Sequence, residues 1–555
     1  MKPEYIVFVI IILMLLVIKS IFDKRNDRKK LIDKLLDEWG KDSATEYHPG
    51  KLESIKAYYN SYSKENDVDD ITWNDLDMDE MFMLLNNTQS AMGEEVLYKI
   101  LRQPVNDRKE LNHRSNIINF MYDNQEDRLV IQQKLFKIGK DNKLSFYEFL
   151  SRIDNIKIQN NLVHYVNLIL LLACVIGGIM NFLPCIFAGV ALLIISIFGY
   201  YKRKAEIESY YYVFGRILKL LYNSQYIAEI DCLVLKDEIS EIKRLMNKFS
   251  KFKRNSGIVL KENGGNISDI IFDYIRMITH IDLIKFNNMY NIIRNNKDDL
   301  LKLHGLIGYI DSMIAIASFR KMMEDKCYCE PDFCYEKSCL EFENGYHPYL
   351  TEPVYNDFNT ANHILLTGSN ASGKSTFLKT IALNAILAQT IMTVCASSYK
   401  TSFFKVMTSM ALNDNIFSNK SYFIVEILSL KRILDSSEDN ILVCIDEVLR
   451  GTNTIERIAA SGQILKTLSA GNTLCFAATH DIELTNILSN IYTNYHFREK
   501  IEEDNVIFDY KIHEGPSKTK NAIKLLNMLG YDKNIVDNAV EMAKNFEENN
   551  VWLRI

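Results

Sequence analysis

The sequence is poor in the residues that interrupt regular structure, with 8 Pro and 22 Gly among its 555 residues. It also lacks an excess of basic charge, since 65 Lys and Arg stand against 71 Asp and Glu, for a net charge of −6. The scarcity of Pro and Gly excludes collagen-like and disordered chains and favours helices. Without a net positive charge, only a local basic face could mark a nucleic-acid-binding protein.

Cysteine is present but follows no regular framework. The 10 Cys are irregularly spaced and several lie in apolar runs, which indicates a reducing compartment for most of the chain. Four of them cluster at Cys327, Cys329, Cys334 and Cys339. Zinc sites favour paired cysteines two to four residues apart, so this spacing fits a metal site poorly, and cysteines on strand faces are the favoured alternative.

Long uncharged runs are the strongest feature of the N-terminal half. Tyr5 to Ile18 is unbroken and apolar, and Ile21 and Phe22 follow it. As a helix this run measures about 27 Å, close to a bilayer core, and no small-residue cleavage site follows, so we predict an uncleaved anchor rather than a signal peptide.

Between Lys157 and Lys202 there is no Asp, Glu, Lys or Arg. That length predicts two spans, 162–180 and 182–201, joined at Asn181 and Pro184; the alternative is a buried helical hairpin.

Basic residues follow the first run and lie at both ends of the hairpin, with Lys157 before it. Lys24, Arg25 and Arg28 follow the first run, while Lys202 and Arg203 follow the hairpin. Positive flanks mark the cytoplasmic side, so we expect a multi-pass protein of the cell membrane with the bulk of the chain in the cytoplasm.

The periodicity of the apolar residues changes along the chain. Helical spacing gives way, from about Cys327, to alternating strand-like and helical runs. The predicted fold class is an α/β domain, preceded by a mostly α-helical region with three transmembrane helices. The predicted segments are an anchor at 1–22, a juxtamembrane linker at 23–70, the first part of a helical core at 71–160, a transmembrane hairpin at 161–202, the second part of the core at 203–325, broken at 255–257 and 263–266, and the α/β domain with a C-terminal helical segment at 326–555.

A glycine-rich loop lies between a strand-like and a helical run. The apolar residues 364–366 lead into Gly368-Ser369-Asn370-Ala371-Ser372-Gly373-Lys374-Ser375, which has the phosphate-loop spacing G-x-x-x-x-G-K-S. Backbone N–H groups of such a loop surround phosphate oxygens at a helix N-terminus. Lys374 is predicted to reach the β- and γ-phosphates of ATP, and Ser375 to bind Mg²⁺.

Two later strand ends carry polar residues that suit the same site. The apolar run 441–445 ends in Asp446 and Glu447, and the run 473–477 is followed by His480. Carboxyl ends of parallel strands face the ligand crevice of such sheets. We therefore predict that Asp446 binds Mg²⁺ through a water, that Glu447 polarises the attacking water, and that His480 contacts the γ-phosphate; strand-end capping is the alternative for His480.

These three motifs resemble those of the MutS family of DNA mismatch-repair ATPases. Residues 367–376 look like the family's T-G-P-N-M-G-G-K-S-T, residues 446–454 like its D-E-x-G-R-G-T-S-T, residues 476–484 like its F-A-T-H-x-x-E-L and residues 421–426 like its S-T-F-M-V-E. The resemblance covers about residues 340–545. It implies that residues 326–555 form an α/β P-loop ATPase domain of the ABC and MutS type with a C-terminal helical dimerisation segment, and that the preceding helical region is a core and lever domain. Weaker similarity to the family's helical core lies at 87–93, at 101–104 and at 308–318.

The resemblance implies ATP and Mg²⁺ as cofactors, a homodimer and double-stranded DNA as a partner. Carried over to this sequence, Thr376 belongs to the phosphate loop, Asn370 contacts the γ-phosphate, and Ser421 reaches the nucleotide of a partner subunit. Two residues depart from the family's pattern, because Leu449 replaces a glycine and Asn453 a serine. Phe146-Tyr147-Glu148 lacks the Gly-Asp that precedes the family's mismatch-contacting phenylalanine, so we interpret it as packing.

Some residues keep two interpretations. Tyr349, Tyr355 and Phe358 are candidates for stacking on adenine, although core packing is the alternative. The basic residues between Lys243 and Arg254 could contact phosphates, a lipid surface or only solvent. The sequence therefore predicts a membrane-anchored ATPase that clamps DNA; the alternative is an ATPase that drives a membrane-associated conformational change without DNA.

Overall fold

A computed structural model describes residues 3–552 of the chain with internal gaps. The gaps are 44–46, 48–49, 142–144, 154–157, 159, 260–273, 336–337, 370–371, 411–421, 437–439, 451, 503–504, 518–522, 524–525, 527–529 and 550. The structure described below refers to the remaining residues.

Helices make up the N-terminal region. They are α1 (Pro3–Glu38), α2 (Lys51–Asn60), α3 (Asp70–Asp75), α4 (Met78–Leu85), α5 (Ala91–Arg102), α6 (Arg108–Asp123), α7 (Gln125–Ile138), α8 (Phe146–Ile153), α9 (Asn161–Ile179), α10 (Leu183–Ala228), α11 (Lys236–Lys248), α12 (Ser250–Val259), α13 (Ile281–Asn295) and α14 (Lys297–Met323).

Strands and helices alternate in the C-terminal region. They are β1 (Asp332–Cys334), β2 (Leu340–Gly345), β3 (Asn356–Thr360), β4 (His363–Thr367), α15 (Lys374–Ile391), β5 (Ser398–Ser402), β6 (Lys405–Ser409), α16 (Tyr422–Leu434), β7 (Ile441–Asp446), α17 (Thr454–Ser469), β8 (Thr473–Ala478), α18 (Ile482–Ile487), β9 (Tyr492–Glu502), β10 (Asn505–Glu514) and α19 (Lys533–Asn549). A mostly helical region therefore precedes an α/β region, as the sequence predicted.

Two sheets form the α/β region. The larger has the order β10-β9-β4-β8-β7-β6, with parallel neighbours except for the antiparallel pair β9 and β10. The smaller has the order β1-β5-β2-β3. Strand β7 is buried at every position, because its apolar residues have helices or strands on all sides. The parallel strands β4, β7 and β8 thus end at one edge of the sheet, where ligands of α/β proteins bind.

The chain divides into two compact units. One contains Met1–Ser63, Met83–Lys99 and Asn116–Met322, and the other contains Lys64–Phe82, Ile100–Ser115 and Met323–Ile555. Two short N-terminal segments therefore belong to the α/β unit, although the sequence placed 71–160 in one helical segment. Asp75 of α3 shows why, because it accepts hydrogen bonds from Thr408 Oγ1 (2.7 Å) and from Met410 N (2.9 Å). These bonds satisfy polar groups at the end of edge strand β6.

A buried carboxylate connects α14 to the start of α5 in the helical unit. Asp311 accepts hydrogen bonds from Gln89 N (3.0 Å), Ser90 N (2.8 Å) and Ser90 Oγ (2.5 Å). Burial raises the pKa of Asp311 to about 6, although the bonds from Ser90 and Gln89 oppose that rise. The bonds satisfy N–H groups at the helix start that have no partner within α5. Gly93 lies against this carboxylate with no space for a Cβ, which explains the glycine there.

Three helices in the described part of the chain are long and apolar enough to cross a membrane. They are Asn161–Ile179, Leu183–Glu208 within α10, and Lys297–Met323. The first two match the predicted hairpin, and only 11% of each apolar window is buried in the protein. In the third, 72% of the window is buried, so its apolar residues serve the core of the helical unit. The predicted anchor at 1–22 lies largely within α1, and its insertion in a membrane stays a prediction.

Polar side chains connect the apolar hairpin, formed by α9 and the first part of α10, to the start of α13. Asn167 donates to Ser196 Oγ (2.7 Å), and His280, just before α13, lies 3.0 Å from both Ser196 Oγ and His164 Nδ1. Tyr200 donates to Asp282 (2.7 Å) on α13. These contacts fix α9 and α10 against α13 at one end of the hairpin, and they give His164 and Asn167 packing partners.

Three further expectations are decided by the described residues. The predicted break at 255–257 is wrong, because α12 continues through it, and the break at 263–266 lies outside the described residues. Phe146 is buried and stacks on His304, as expected for packing. Cys334 lies on β1 and Cys339 directly precedes β2, and the two are paired as a disulfide that the sequence had not predicted. No cluster of three or more His, Cys, Asp or Glu side chains that could hold a metal ion occurs within the described ranges.

Candidate nucleotide site

The phosphate loop follows β4 and ends at α15. Gly368 has φ +146° and Gly373 has φ +107°, a region that favours glycine. A Cβ at Gly368 would lie 3.0 Å from Ser372 Oγ and 3.1 Å from the carbonyl oxygen of Phe497. Both glycines are therefore required for the loop to turn from the strand into the helix. The hydroxyl of Ser369 donates to Glu499, and Asn370 and Ala371 lie outside the described residues.

Lys374 is the first residue of α15 and is turned back over the loop. Its Nζ donates to the carbonyl oxygens of Gly368 (2.8 Å) and Ser369 (2.7 Å). Burial lowers the pKa of Lys374, while the nearby carboxylates of Asp446 and Glu447 oppose that shift. The ammonium group is thus held at the loop, where it can meet a phosphate that displaces the carbonyls.

Ser375 and Asp446 meet at the carboxyl ends of β4 and β7. Ser375 Oγ donates to Asp446 Oδ2 (2.6 Å), and the Asp446 side chain is almost fully buried. A hydroxyl and a carboxylate oxygen are hard ligands of the kind that Mg²⁺ prefers. The donor set therefore fits the metal that the sequence assigned to these two residues.

Glu447 has both carboxylate oxygens in contact with cationic or polar groups. His480 Nε2 lies 2.8 Å from its Oε1, and Arg450 Nε lies 2.7 Å from its Oε2. The hydrogen bond from His480 is the main cause that lowers the pKa of Glu447, and Arg450 and Lys374 add to it against the effect of burial. Glu447 is therefore kept ionised. His480 contacts this carboxylate, and its predicted contact with the γ-phosphate stays a prediction.

The loop after β7 has an unusual backbone. Glu447 and Leu449 both have φ +61°, although neither is glycine. Leu449 occupies the position where the resembling family has glycine. The left-handed conformation is kept here with leucine, for which it costs about 1–2 kcal/mol. Asn453, the second departure, accepts a hydrogen bond from Ile455 N (3.0 Å) and caps α17, as a serine would.

A buried carboxylate from α16 supports this loop. Glu426 accepts hydrogen bonds from the backbone N–H of Leu449 and from that of Arg450 (3.2 and 3.3 Å). Its exposed fraction is 3%. Burial raises the pKa of Glu426, whereas the two amide donors lower it. The sequence had included Glu426 only as the last residue of a motif, because nothing in its neighbours reveals a contact with a loop more than twenty residues away.

A cavity of about 330 Å³ lies beside the phosphate loop. It is lined by residues from the smaller sheet, from α15 and from β9 and β10, among them Tyr346, His347, Thr376, Phe497 and Tyr510. Tyr510 has φ +51°, and Asn356 holds that bend by donating to the Tyr510 carbonyl (3.0 Å) and accepting from Ile512 N (2.9 Å). Aromatic side chains line the cavity, and its volume falls at the lower end of the range of small-molecule sites.

The three aromatic residues that the sequence singled out for stacking do not line this cavity. Tyr349 donates to the carbonyl of Asp77 (2.8 Å), and Tyr355 packs edge-on against Tyr346. Phe358 is buried among Phe342, Phe377, Phe476 and Tyr495. The packing interpretation fits them, and Tyr510 was missed because it lies over a hundred residues beyond the phosphate loop. Ser421 lies outside the described residues.

The sheet order, the phosphate loop and the carboxylates at the end of β7 are those of an α/β domain of the P-loop class. Comparison with known proteins agrees, because residues 364–547 match the family model described as MutS domain V. This part of the chain is thus similar to MutS domain V.

Curated relatives extend the match. The chain is 31% identical over 284 residues to the DNA mismatch repair protein MutS of Lactobacillus delbrueckii subsp. bulgaricus, which is 48% of this chain and 32% of that protein. It is 32% identical over 259 residues to the protein of the same name from Petrotoga mobilis, covering 44% of this chain and 31% of the relative. The chain thus spans about a third of the length of the curated relatives it matches.

Leu449 provides a test of the strained loop. Leu449→Ala keeps the left-handed strain and loses apolar packing, whereas Leu449→Gly loses the same packing and relieves the strain. We expect the glycine variant to be the more stable of the two, by about 1 kcal/mol, in thermal or urea unfolding of the purified protein.

Leu468 is the matched control, because it is equally buried but lies in α17. At this helical position the Leu468→Ala variant should be more stable than Leu468→Gly, by about 1 kcal/mol in the free energy of unfolding. If the alanine variant is the more stable one at Leu449 as well, the backbone at Leu449 is not strained.

Proposed function

We propose that this protein binds ATP with Mg²⁺ and hydrolyses it. The observation that carries the proposal is the meeting of Lys374, Ser375, Asp446 and Glu447 at one edge of the larger sheet. Each group has the chemistry that phosphoryl transfer to water requires, namely a cation and N–H donors for phosphate, hard oxygens for the metal and an ionised base.

The residues divide the work by position. The loop N–H groups and Lys374 bind the β- and γ-phosphates, with Gly368, Ser369, Asn370, Ala371, Ser372, Gly373 and Thr376 forming the rest of the cradle. Ser375 and Asp446 would hold Mg²⁺, which neutralises charge on the phosphate oxygens. Glu447 orients and polarises the attacking water, and His480 keeps its carboxylate in place. The aromatic cavity beside Tyr510 accepts the base.

Two substitutions separate binding from chemistry. Lys374→Ala should weaken ATP binding, because it removes the cation at the phosphates. Glu447→Gln should leave binding within about threefold and lower kcat by roughly a hundredfold or more, because only activation of water is lost. Binding is measured with a fluorescent ATP analogue and turnover by phosphate release.

Glu456→Gln is a control with the same chemical change at an exposed position of α17. It should retain wild-type turnover. Wild-type turnover by Glu447→Gln would remove Glu447 as the base, and absence of turnover in the wild-type protein would remove the proposed activity.

We also propose a homodimer with composite sites, in which Ser421 of one subunit reaches the nucleotide on the other. Support comes from the family resemblance of 421–426 and from α16, whose N-terminus at Tyr422 is suited to an anion. The alternative is that Ser421 only caps its own helix.

A mixing experiment separates these alternatives. A Lys374→Ala subunit and a Ser421→Ala subunit, each nearly inactive alone, should recover part of the ATPase activity together, since one of the two composite sites is then intact. No recovery from mixed dimers that have been shown to form would contradict the composite site.

The membrane location is a further part of the proposal. Two mostly exposed apolar helices and the basic residues at their ends support a multi-pass protein whose ATPase domain is in the cytoplasm. Only the extreme N-terminus and the Asn181 turn would then lie outside.

Cysteine labelling of intact cells tests this topology. A cysteine introduced at Asn181 should react with an impermeant maleimide without permeabilisation, and one at Lys243 should react only after it. Labelling at position 243 in intact cells, above the background of the unmodified protein, would reverse the orientation.

DNA is the partner that we favour for the cytoplasmic part. Exposed basic residues follow one face of α11 and α12, namely Lys243, Arg244, Lys248, Lys251 and Arg254. Lys253 fixes this face near the far end of α10, since its Nζ contacts Gln225 (2.5 Å) and lies over the Tyr222 ring. Tyr222 and Gln225 lie some twenty positions beyond Lys202, which is about 30 Å along α10. Since the charge of lipid headgroups is screened within about 10 Å, this distance favours DNA over lipid as the partner of the basic face.

Two of these side chains are paired, Arg244 with Glu241 (2.5 Å) and Lys248 with Asp299 (2.6 Å), so the face is only moderately basic. The alternative function, an ATPase that drives a conformational change at the membrane without DNA, follows if the face binds no phosphate. Binding of duplex DNA that weakens steeply with salt would favour the first function, and no binding with or without ATP would favour the second.

A further inference from the structure

Helix α16 and the loop after β7 are linked by one buried side chain. Glu426 accepts from the N–H groups of Leu449 and Arg450, and its carboxylate is closed off from solvent. The neighbouring residues of α16 that point outward are exposed, including Ile427 and Leu428. Glu426 is therefore the polar group through which α16 holds this loop.

The loop held in this way contains the proposed base and its cationic partner. Glu447 and Arg450 form an ion pair of 2.7 Å, and Arg450 Nη2 also lies 3.4 Å from Asp446 Oδ2. On the other side, Glu447 N donates to the carbonyl of Ala478 (3.0 Å) at the end of β8. The backbone between these two attachments has positive φ at Glu447 and at Leu449, so it stays in this shape only while both attachments hold it.

A role limited to satisfying two amides would not need a carboxylate. A neutral amide side chain can accept from backbone N–H groups without the desolvation cost of a buried charge. A charged acceptor gives the stronger bond, and its placement opposite two adjacent N–H groups fixes the loop in one orientation.

We propose that Glu426 is a positioning residue for ATP hydrolysis, which holds the 447–450 loop so that Glu447 faces the attacking water. The assignment rests on the proposed ATPase activity. Glu426 thereby links the position of α16 to the base of its own subunit.

The test compares Glu426→Ala and Glu426→Gln with the wild-type protein. We expect Glu426→Ala to lower kcat by about tenfold or more, since a displaced base loses alignment with the water. Its affinity for a fluorescent ATP analogue should stay within about threefold of the wild type, because the phosphate loop is untouched. Glu426→Gln, which keeps the shape and one acceptor oxygen, should recover much of the lost turnover.

Lys431→Ala is the matched control, because Lys431 lies on the same helix with an exposed side chain. It should leave both turnover and affinity unchanged. If Glu426→Ala fails to fold, the comparison is made with Glu426→Gln alone, for which turnover should fall about threefold at unchanged affinity.

Each outcome has a distinct meaning. Wild-type turnover in Glu426→Ala, or in Glu426→Gln where the alanine variant does not fold, would overturn the positioning role while leaving the ATPase proposal intact. A parallel loss of turnover and affinity would mean that Glu426 only stabilises the fold, and would overturn it too. Absence of turnover in the wild-type protein would overturn the ATPase proposal itself, and the positioning role with it.

Discussion

Two adjacent carboxylates at the end of a buried strand impose the main constraint on this protein. Asp446 and Glu447 lie where β7 leaves the core, and negative charge in such a place requires donors and cations around it. Ser375 supplies a hydroxyl, Arg450 a guanidinium and His480 an imidazole, each from a different part of the chain. The phosphate loop, the strand order and the loop after β7 all bring one of these partners to the carboxylates. The site is thus organised around the neutralisation of its own acids.

Much of this arrangement was predictable because it depends on local patterns. A buried strand followed by a glycine-rich loop, or by two carboxylates, has a strong sequence pattern, and the parallel sheet then brings the strand ends together. The strands containing residues 364–366, 441–445 and 473–477 were correctly located, and the apolar hairpin was predicted to within a few residues. The roles of Glu447, Lys374 and His480 stay predictions, although the three residues do lie near one another.

What escaped the sequence depends on contacts between distant segments. Tyr510 reaches the cavity only because β10 bends at a positive φ that no neighbouring residue announces. Glu426 meets Leu449 and Arg450 through the packing of a helix on a loop. Lys64–Phe82 belongs to the α/β unit because Asp75 accepts hydrogen bonds from β6 and from the residue after it. No pattern in the sequence predicts these two bonds. Side-chain geometry, rather than local propensity, decides all three.

Helix α10 runs without interruption from the apolar hairpin to the vicinity of the basic face, over 46 residues. At about 1.5 Å per residue it behaves as a stiff rod of roughly 70 Å, and each residue also advances the azimuth of the helix by about 100°. The register of side chains at one end is therefore tied to that at the other. An insertion of a single residue near Lys204 would rotate the distal part by about a quarter of a turn relative to the hairpin, and would move every basic side chain on α11 and α12 with it. The helix sets the angle between the apolar surface of the hairpin and the basic face of α11 and α12, as well as their separation.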